Sequence, residues 1–310
     1  EPGGHTPSSV DQLVEAADRG EGPLALVTAR LEDPSGYGRI VRDDADRVTA
    51  IREHKDCSEA ERAIDEVNPG VYGVEAEFLR EAIEGLSADN AQGELYLTDI
   101  VEWAARGGGV VAVPGDMAEL RGINDRWELA LADQLLRRRL LERLARSGVT
   151  LRDPDSTRID PSCEIDADAV IEPGVHLRGR CKVAAGARVD VGCVLENVEV
   201  GPGAYLKPYT VATDSRVAEA AQIGPFAHLR PSSDIGPDAR VGNFVETKKT
   251  RMGRGSKANH LAYLGDGELG EDVNVGAGTI FCNYDGYRKN VTTLEDGVFI
   301  GSDSQLVAPV

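Results

Sequence analysis

Proton transfer at neutral pH falls most readily to histidine, whose unperturbed pKa lies nearest to neutrality. The chain has five, His5, His54, His176, His228 and His260, and residue type alone selects none of them as a base. Phosphate recognition falls to arginine, which can grip two oxygens at once, and to lysine, a point charge. Arg230 and Lys248 are of these types, although each alone reads as an ordinary solvated charge. Five cysteines, Cys57, Cys163, Cys181, Cys193 and Cys282, include no C-x-x-C pair and are odd in number. That fits neither a disulfide framework nor a zinc ribbon. Gly3-Gly4-His5 is no substitute for a phosphate-cradling glycine loop.

These residues sit in a 310-residue chain with a formal net charge of −19, the wrong sign for a nucleic-acid or anionic-membrane surface. Its 41% hydrophobic content is that of a globular protein. No apolar run reaches the roughly 18 residues of a membrane span, and the N-terminus carries no signal-peptide pattern. A soluble, cytoplasmic protein is the expectation. From about residue 6 to 122, strand candidates at Leu24–Thr28, Val48–Glu53 and Val110–Val113 alternate with helical patterns at Val10–Ala17 and Phe78–Leu86. This alternation predicts an α/β layer with a mostly parallel sheet. Leucines at helical spacing from Asp125 to Arg146 predict one long helix.

Beyond residue 151 a repeat dominates. Ile159, Ile165, Ile171, Leu177, Val183, Val189 and Leu195 recur every six residues, as do Val211, Val217, Ile223, Leu229, Ile235 and Val241. Shorter runs follow at Leu269, Val275, Phe281 and at Leu294, Ile300, Leu306. Small or β-branched residues (Cys163, Ala169, Val175, Cys181, Ala187, Cys193) lie four places after the first-run aliphatics. A hexapeptide period specifies a parallel β-helix whose coils have three flat faces. The narrow prism explains why aromatics are only 5%. Cys163 and Cys181, one coil apart, should stack about 4.8 Å from each other. The repeat cysteines read as small buried fillers. Breaks in the period at Glu196–Leu206, Thr247–Asn259 and Asn283–Thr293 predict three loops leaving the prism. The repeat stops at Pro309-Val310 without a polar cap, which suggests a chain cut short at both ends.

The strings GYGRI (Gly36–Ile40), REHKD (Arg52–Asp56), EVNPGVY (Glu66–Tyr72), NAQGELYLTDI (Asn90–Ile100), VGNFVETKK (Val241–Lys249), HLAYLGD (His260–Asp266), NVGAGTIFCNYDG (Asn274–Gly286) and GSDSQLVAPV (Gly301–Val310) occur in this order. The chain thereby resembles the bacterial bifunctional enzymes that make UDP-N-acetylglucosamine for cell-wall precursors. In those enzymes a glucosamine-1-phosphate N-acetyltransferase is joined to an N-acetylglucosamine-1-phosphate uridyltransferase. The resemblance implies that 1–123 is the C-terminal part of a Rossmann-like sugar nucleotidyltransferase domain. It makes 124–148 a linker helix and 149–310 a left-handed β-helix acetyltransferase domain. The left hand follows from the resemblance alone, since parallel crossovers elsewhere are right-handed.

The resemblance also assigns roles. His260 becomes the general base, with Glu246 its acidic neighbour. Arg230 and Lys248 become the sugar-phosphate clamp, and Tyr263 and Asn274 further sugar contacts. Ala277, Asn283, Tyr284, Lys289 and Ser302 become the acetyl-CoA positions, Lys289 at the phosphate end. Gly38, Glu53, Asn68 and Asn124 would line the uridyltransferase sugar pocket, with Asn124 also a ligand to Mg²⁺. The family's site is shared between neighbouring subunits, which implies a homotrimer. His228 stands where an arginine is common. Neither the glycine-rich nucleotide loop nor the metal-binding aspartate has a counterpart here, so this polypeptide is not expected to transfer uridyl from UTP. Two competing readings are a hexapeptide acyltransferase with a different acceptor and a non-catalytic trimeric scaffold. The sugar-pocket strings before Asn124 oppose the first. The joint presence of His260, Arg230, Lys248, Tyr263 and Asn283 opposes the second.

Overall fold

The computed structural model describes residues 8–120, 122, 123 and 125–310. Asn124, the expected Mg²⁺ ligand, and His5 lie outside the described residues. The chain forms two compact units, Glu1–Asp125 and Arg126–Val310.

In the first unit, helix α1 (Ser9–Asp18) is opened by a capping box between Ser8 and Asp11. The sheet comprises β1 (Leu24–Arg30), β2 (Gly38–Arg42), β3 (Val48–Arg52), β4 (Glu66–Asn68), β5 (Tyr72–Val74) and β6 (Val110–Pro114). Helices α2 (Glu59–Arg62), α3 (Ala76–Glu84), α4 (Ile100–Gly107) and α5 (Met117–Leu120) complete the unit. Alternation along β1 supplies two cores. Leu24 and Leu26 face Ile100, Val101 and Ala104 of α4, while Ala25 and Val27 face Leu13 and Ala16 of α1. Gly85, just after α3, has no room for a side chain, because a Cβ there would lie 1.8 Å from the Trp103 ring.

The expected strands and helices form, but the sheet is not mostly parallel. Its order is β3-β2-β4-β1-β5, with β6 beside β1. Only β1 and β6 run parallel; β1–β4, β1–β5, β2–β3 and β2–β4 are antiparallel. The cause is local. Asp43 accepts from the Arg47 amide and guanidinium, and Asp46 takes φ 61°. These close a tight hairpin between β2 and β3.

The second unit opens with helix α6 (Arg126–Arg146). Its last turns place Leu140, Leu141 and Leu144 in the same buried cluster as Ile159, Ile171 and Leu177. The helix is therefore part of the second unit's core. Three parallel sheets follow, with nine, nine and eight strands. They form the parallel β-helix that the repeat announced, of the left-handed type that the resemblance implied. The first face runs from Thr150–Leu151 to Phe299–Ile300, the second from Arg158–Ile159 to Gln305–Val307, and the third from Glu164–Ile165 to Thr292–Leu294. The six-residue aliphatics fill the prism, with one exception. Val211 is 39% exposed and Ala212 takes its place inside, since Leu195 pairs with Ala212.

That slip has a simple origin. Many coils advance seventeen residues rather than eighteen, as when Lys182 pairs with Glu199 and Asp234 with Arg251. One residue is lost at a corner that Asn197 or Lys249 turns at positive φ. The breaks at Glu196–Leu206 and Thr247–Asn259 are therefore shortened corners, and the ladders pass through them. Only Asn283–Thr293 leaves the prism, because Gly267 pairs with Thr292 twenty-five residues on. All five thiols are free. Cys181 and Cys193 are fully buried, and burial pushes the Cys193 thiol up to about 11, as suits an inert filler.

The outward positions carry their own order. On the third face Glu164, Lys182, Glu199, Arg216, Asp234, Arg251 and Glu268 stack in register with alternating sign. On one corner Tyr209, Phe226 and Phe244 form a stacked ladder of nearly parallel rings, 5.2 and 5.5 Å apart. Each is about half exposed, as is Leu261. All four take positive φ, at about 1–2 kcal/mol each for a side chain with a Cβ.

Candidate functional sites

Two groups of the anticipated acetyltransferase residues form on the β-helix. The first lies on the second face, where Glu246, Tyr263 and Ile280 stack in register. Arg230 Nη1 donates to Glu246 Oε1 at 2.7 Å, which holds the guanidinium above its ordinary pKa. Lys248 lies beside Lys289, and these like charges, followed by Arg230, hold the Lys248 ammonium below the usual lysine range. Gly265 makes the next contact possible. A Cβ there would lie 2.5 Å from Tyr263 Oη and 2.7 Å from Asn283 Nδ2. Asn283 Nδ2 in turn donates to Asp266 Oδ2.

The excursion after Asn283 is braced by itself. Asp285 accepts from the Tyr287 and Arg288 amides and from Asn290 Nδ2, while Tyr284 pairs with Lys289. Arg230, Glu246, Lys248, Tyr263, Asn283 and Lys289 thus come together. The structure groups Lys289 with the expected sugar-phosphate clamp, while Tyr284 stands 62% exposed on the excursion. His228 lies in register with Glu246.

The second group occupies the corner between the first and second faces. His260 is exposed at the end of strand Lys257–His260. Its Nδ1 is 2.8 Å from Asn243 Oδ1, one coil earlier and in register with it. Ala258 pairs with Val275 and Val275 with Ile300. Ala277 and Ser302, each two residues further on, therefore continue the level of His260. Asn274 lies on the first face between Lys257 and Phe299. Among the described residues no hydrogen bond or ion pair joins His260 to the Arg230 group.

A third group lies in the α/β unit. A Cβ on Gly38 would lie 2.8 Å from Ile51 Cγ2, so the glycine relieves crowding against that side chain, and the Glu53 carboxylate oxygens lie 3.5 and 3.6 Å from the same point. Thr98 Oγ1 donates to Glu53 Oε1 at 3.0 Å. Asn68 Nδ2 donates to Tyr72 Oη at 2.6 Å and its Oδ1 accepts from the Gly70 amide. Burial, with Glu53 nearby, pushes the Tyr72 hydroxyl up to about 12. The strings REHKD and NAQGELYLTDI interlock here. Lys55 donates to Gln92, and the Ala91 amide donates to Asp56. Among the described residues no group of three or more His, Cys, Asp or Glu converges as a metal would need. They do not by themselves make a Mg²⁺ site.

Asn243, Gly265, Asp266, Tyr72 and Thr98 were not singled out by sequence reasoning. All five sit inside the quoted strings, and the further signal for Asn243 was its seventeen-residue distance from His260, one short coil.

The fold and these groups define a class: hexapeptide-repeat β-helix proteins, many of them acyltransferases, here following an α/β unit. No family model matches the chain. Curated relatives do. It is 60% identical over 306 residues to the bifunctional protein GlmU of Sorangium cellulosum, covering 98% of this chain and 64% of that protein. The GlmU proteins of Anaeromyxobacter sp. strain Fw109-5 and Trichlorobacter lovleyi are 55% and 49% identical, over 95% and 93% of the chain and 60% and 63% of their own lengths. Over the stretch it spans, the chain is similar to these GlmU proteins. It spans somewhat less than two thirds of their length. Among the described residues no helix is long and apolar enough to cross a membrane.

Proposed function

We propose that this chain carries the acetyl-transfer half of the bifunctional enzyme, moving the acetyl group of acetyl-CoA to the amine of glucosamine-1-phosphate. The observation that carries the reading is the gathering of Arg230, Lys248 and Lys289. Arg230 is already offset by Glu246, but Lys248 and Lys289 repel one another unless a further anion offsets them, and a sugar phosphate is such an anion. Tyr263, Asn274 and Glu246 would hold the sugar. Ala277, Asn283, Tyr284 and Ser302 would hold the cosubstrate.

His260 Nε2 takes a proton from the sugar ammonium, and the freed amine attacks the thioester carbonyl. The C–S bond then breaks and CoA leaves as its thiol. We assign the complete site to adjacent copies in a homotrimer. The exposed ring ladder supports this, for Phe244 and Leu261 directly follow Asn243 and His260. Bulky residues held at positive φ beside a site point to a functional constraint. For the α/β unit we propose binding of the N-acetylglucosamine moiety through Gly38, Glu53 and Asn68, with uridyl transfer and its Mg²⁺ belonging to the bifunctional parent.

The test is thiol release from acetyl-CoA with glucosamine-1-phosphate. Release that requires the sugar phosphate and collapses in His260→Ala supports the reading. Release that is unchanged in His260→Ala removes the base from it.

A further inference from the structure

We infer that Asn243, rather than Glu246, orients the His260 ring and selects its tautomer. Asn243 is a positioning residue that fixes the Nδ1–H tautomer and leaves Nε2 as the free base. The inference takes its catalytic meaning from the proposed acetyl transfer, but its structural content stands apart from that reading. An amide oxygen only accepts hydrogen bonds. At 2.8 Å from Asn243 Oδ1, Nδ1 must therefore be the donor. A neutral imidazole has a single N–H, so Nε2 keeps its lone pair. Both residues end in-register segments, and Val241 and Ala258, two positions before them, are fully buried. The pair is thus anchored in the prism wall while its polar ends reach the corner.

The acidic neighbour offered by the family resemblance is engaged elsewhere, because Glu246 is bonded to Arg230 at 2.7 Å. The other charged groups on the flanking elements are Lys257 on the same strand, Arg240 on the strand before, Lys248 on the strand after Asn243, and Asp303 in the turn two coils on. Among the described residues none of these has a hydrogen bond or ion pair to His260. The choice of partner has a chemical consequence. A carboxylate at this position would favour imidazolium, whereas a neutral amide orients the ring without charging it.

The full chain labelled with ¹⁵N-histidine, titrated by NMR and assigned with His260→Gln, reads the tautomer directly. Wild type should show Nε2 unprotonated above the midpoint of His260. Asn243→Asp should raise that midpoint and carry the acid limb of kcat/KM to higher pH with it. Asn243→Ala should lose the tautomer bias and lower kcat roughly ten- to a hundredfold, with KM for the sugar phosphate unchanged. Should the alanine variant fail to fold, the near-isosteric aspartate still reports. An Nε2–H tautomer in wild type overturns the inference, as does a midpoint that stays put in Asn243→Asp. If the spectra behave as expected while wild type transfers no acetyl group, the proposed reaction fails and the assignment of Asn243 stands.

Discussion

Lys248 and Lys289 meet because the excursion that begins at Asn283 folds back on itself, not because their strands are neighbours. The contact has a readable consequence in pH. A like charge disfavours the protonated form, so Lys248 gives up its proton at lower pH than an ordinary lysine. Affinity for glucosamine-1-phosphate should therefore begin to fall on the alkaline side before lysines normally titrate. Lys289→Met removes the like charge, so Lys248 keeps its proton to higher pH and the alkaline fall moves upward. Affinity at neutral pH should drop roughly tenfold for the lost charged contact. Calorimetric titration across pH measures both effects, and an alkaline limb that stays in place would sink the pairing.

At the scale of elements, the third face shows how a β-helix tolerates so many surface charges. Glu199 lies in register between Lys182 and Arg216, and opposite charges on adjacent strands stabilise while like charges repel. Glu199→Lys places three cations in a row and should lower Tm by roughly 2–4 °C. The deficit should shrink in 1 M salt, where the Debye length is about 3 Å. A salt-independent deficit would mean the loss is packing. This order was unread in the sequence, although the prism was plain there, and the reason is physical. Inward positions demand one property every six residues, so Ile171, Leu177 and Val183 announce themselves. Outward pairing depends on whether a coil advances seventeen or eighteen residues, which Asn197 and Lys249 decide at single corners. Val211 was misplaced for the same reason, and Asn243 was missed as the partner of His260. In the α/β unit, strand and helix alternation was legible, but sheet direction hung on the Asp43–Arg47 turn. Gly38, Glu53 and Asn68 do converge; Thr98 and Tyr72, which orient two of them, carry no pattern of their own.

For the whole molecule, the proposed sharing of the site between copies predicts complementation. His260→Ala and Arg230→Ala should each be nearly inactive alone. If each site takes its histidine from one protomer and its arginine from the next, random 1:1 mixed trimers contain sites with both residues intact. Independent choice at two positions makes that about one site in four. Refolding the two variants together should restore activity to about that level, while mixing folded trimers without exchange should not. The ring ladder supplies the control. Phe226→Asp buries a charge wherever a neighbouring copy covers that corner, so it should shift the chain toward monomer in light scattering and abolish activity with it. Activity in a Phe226→Asp monomer, or no recovery on co-refolding, would return the site to a single chain. Within one chain His260 and the clamp lie on either side of a corner that Leu261 turns at positive φ. A neighbouring prism laid against that corner would complete the proposed site from outside, which is why the assembly and the chemistry should fail as one.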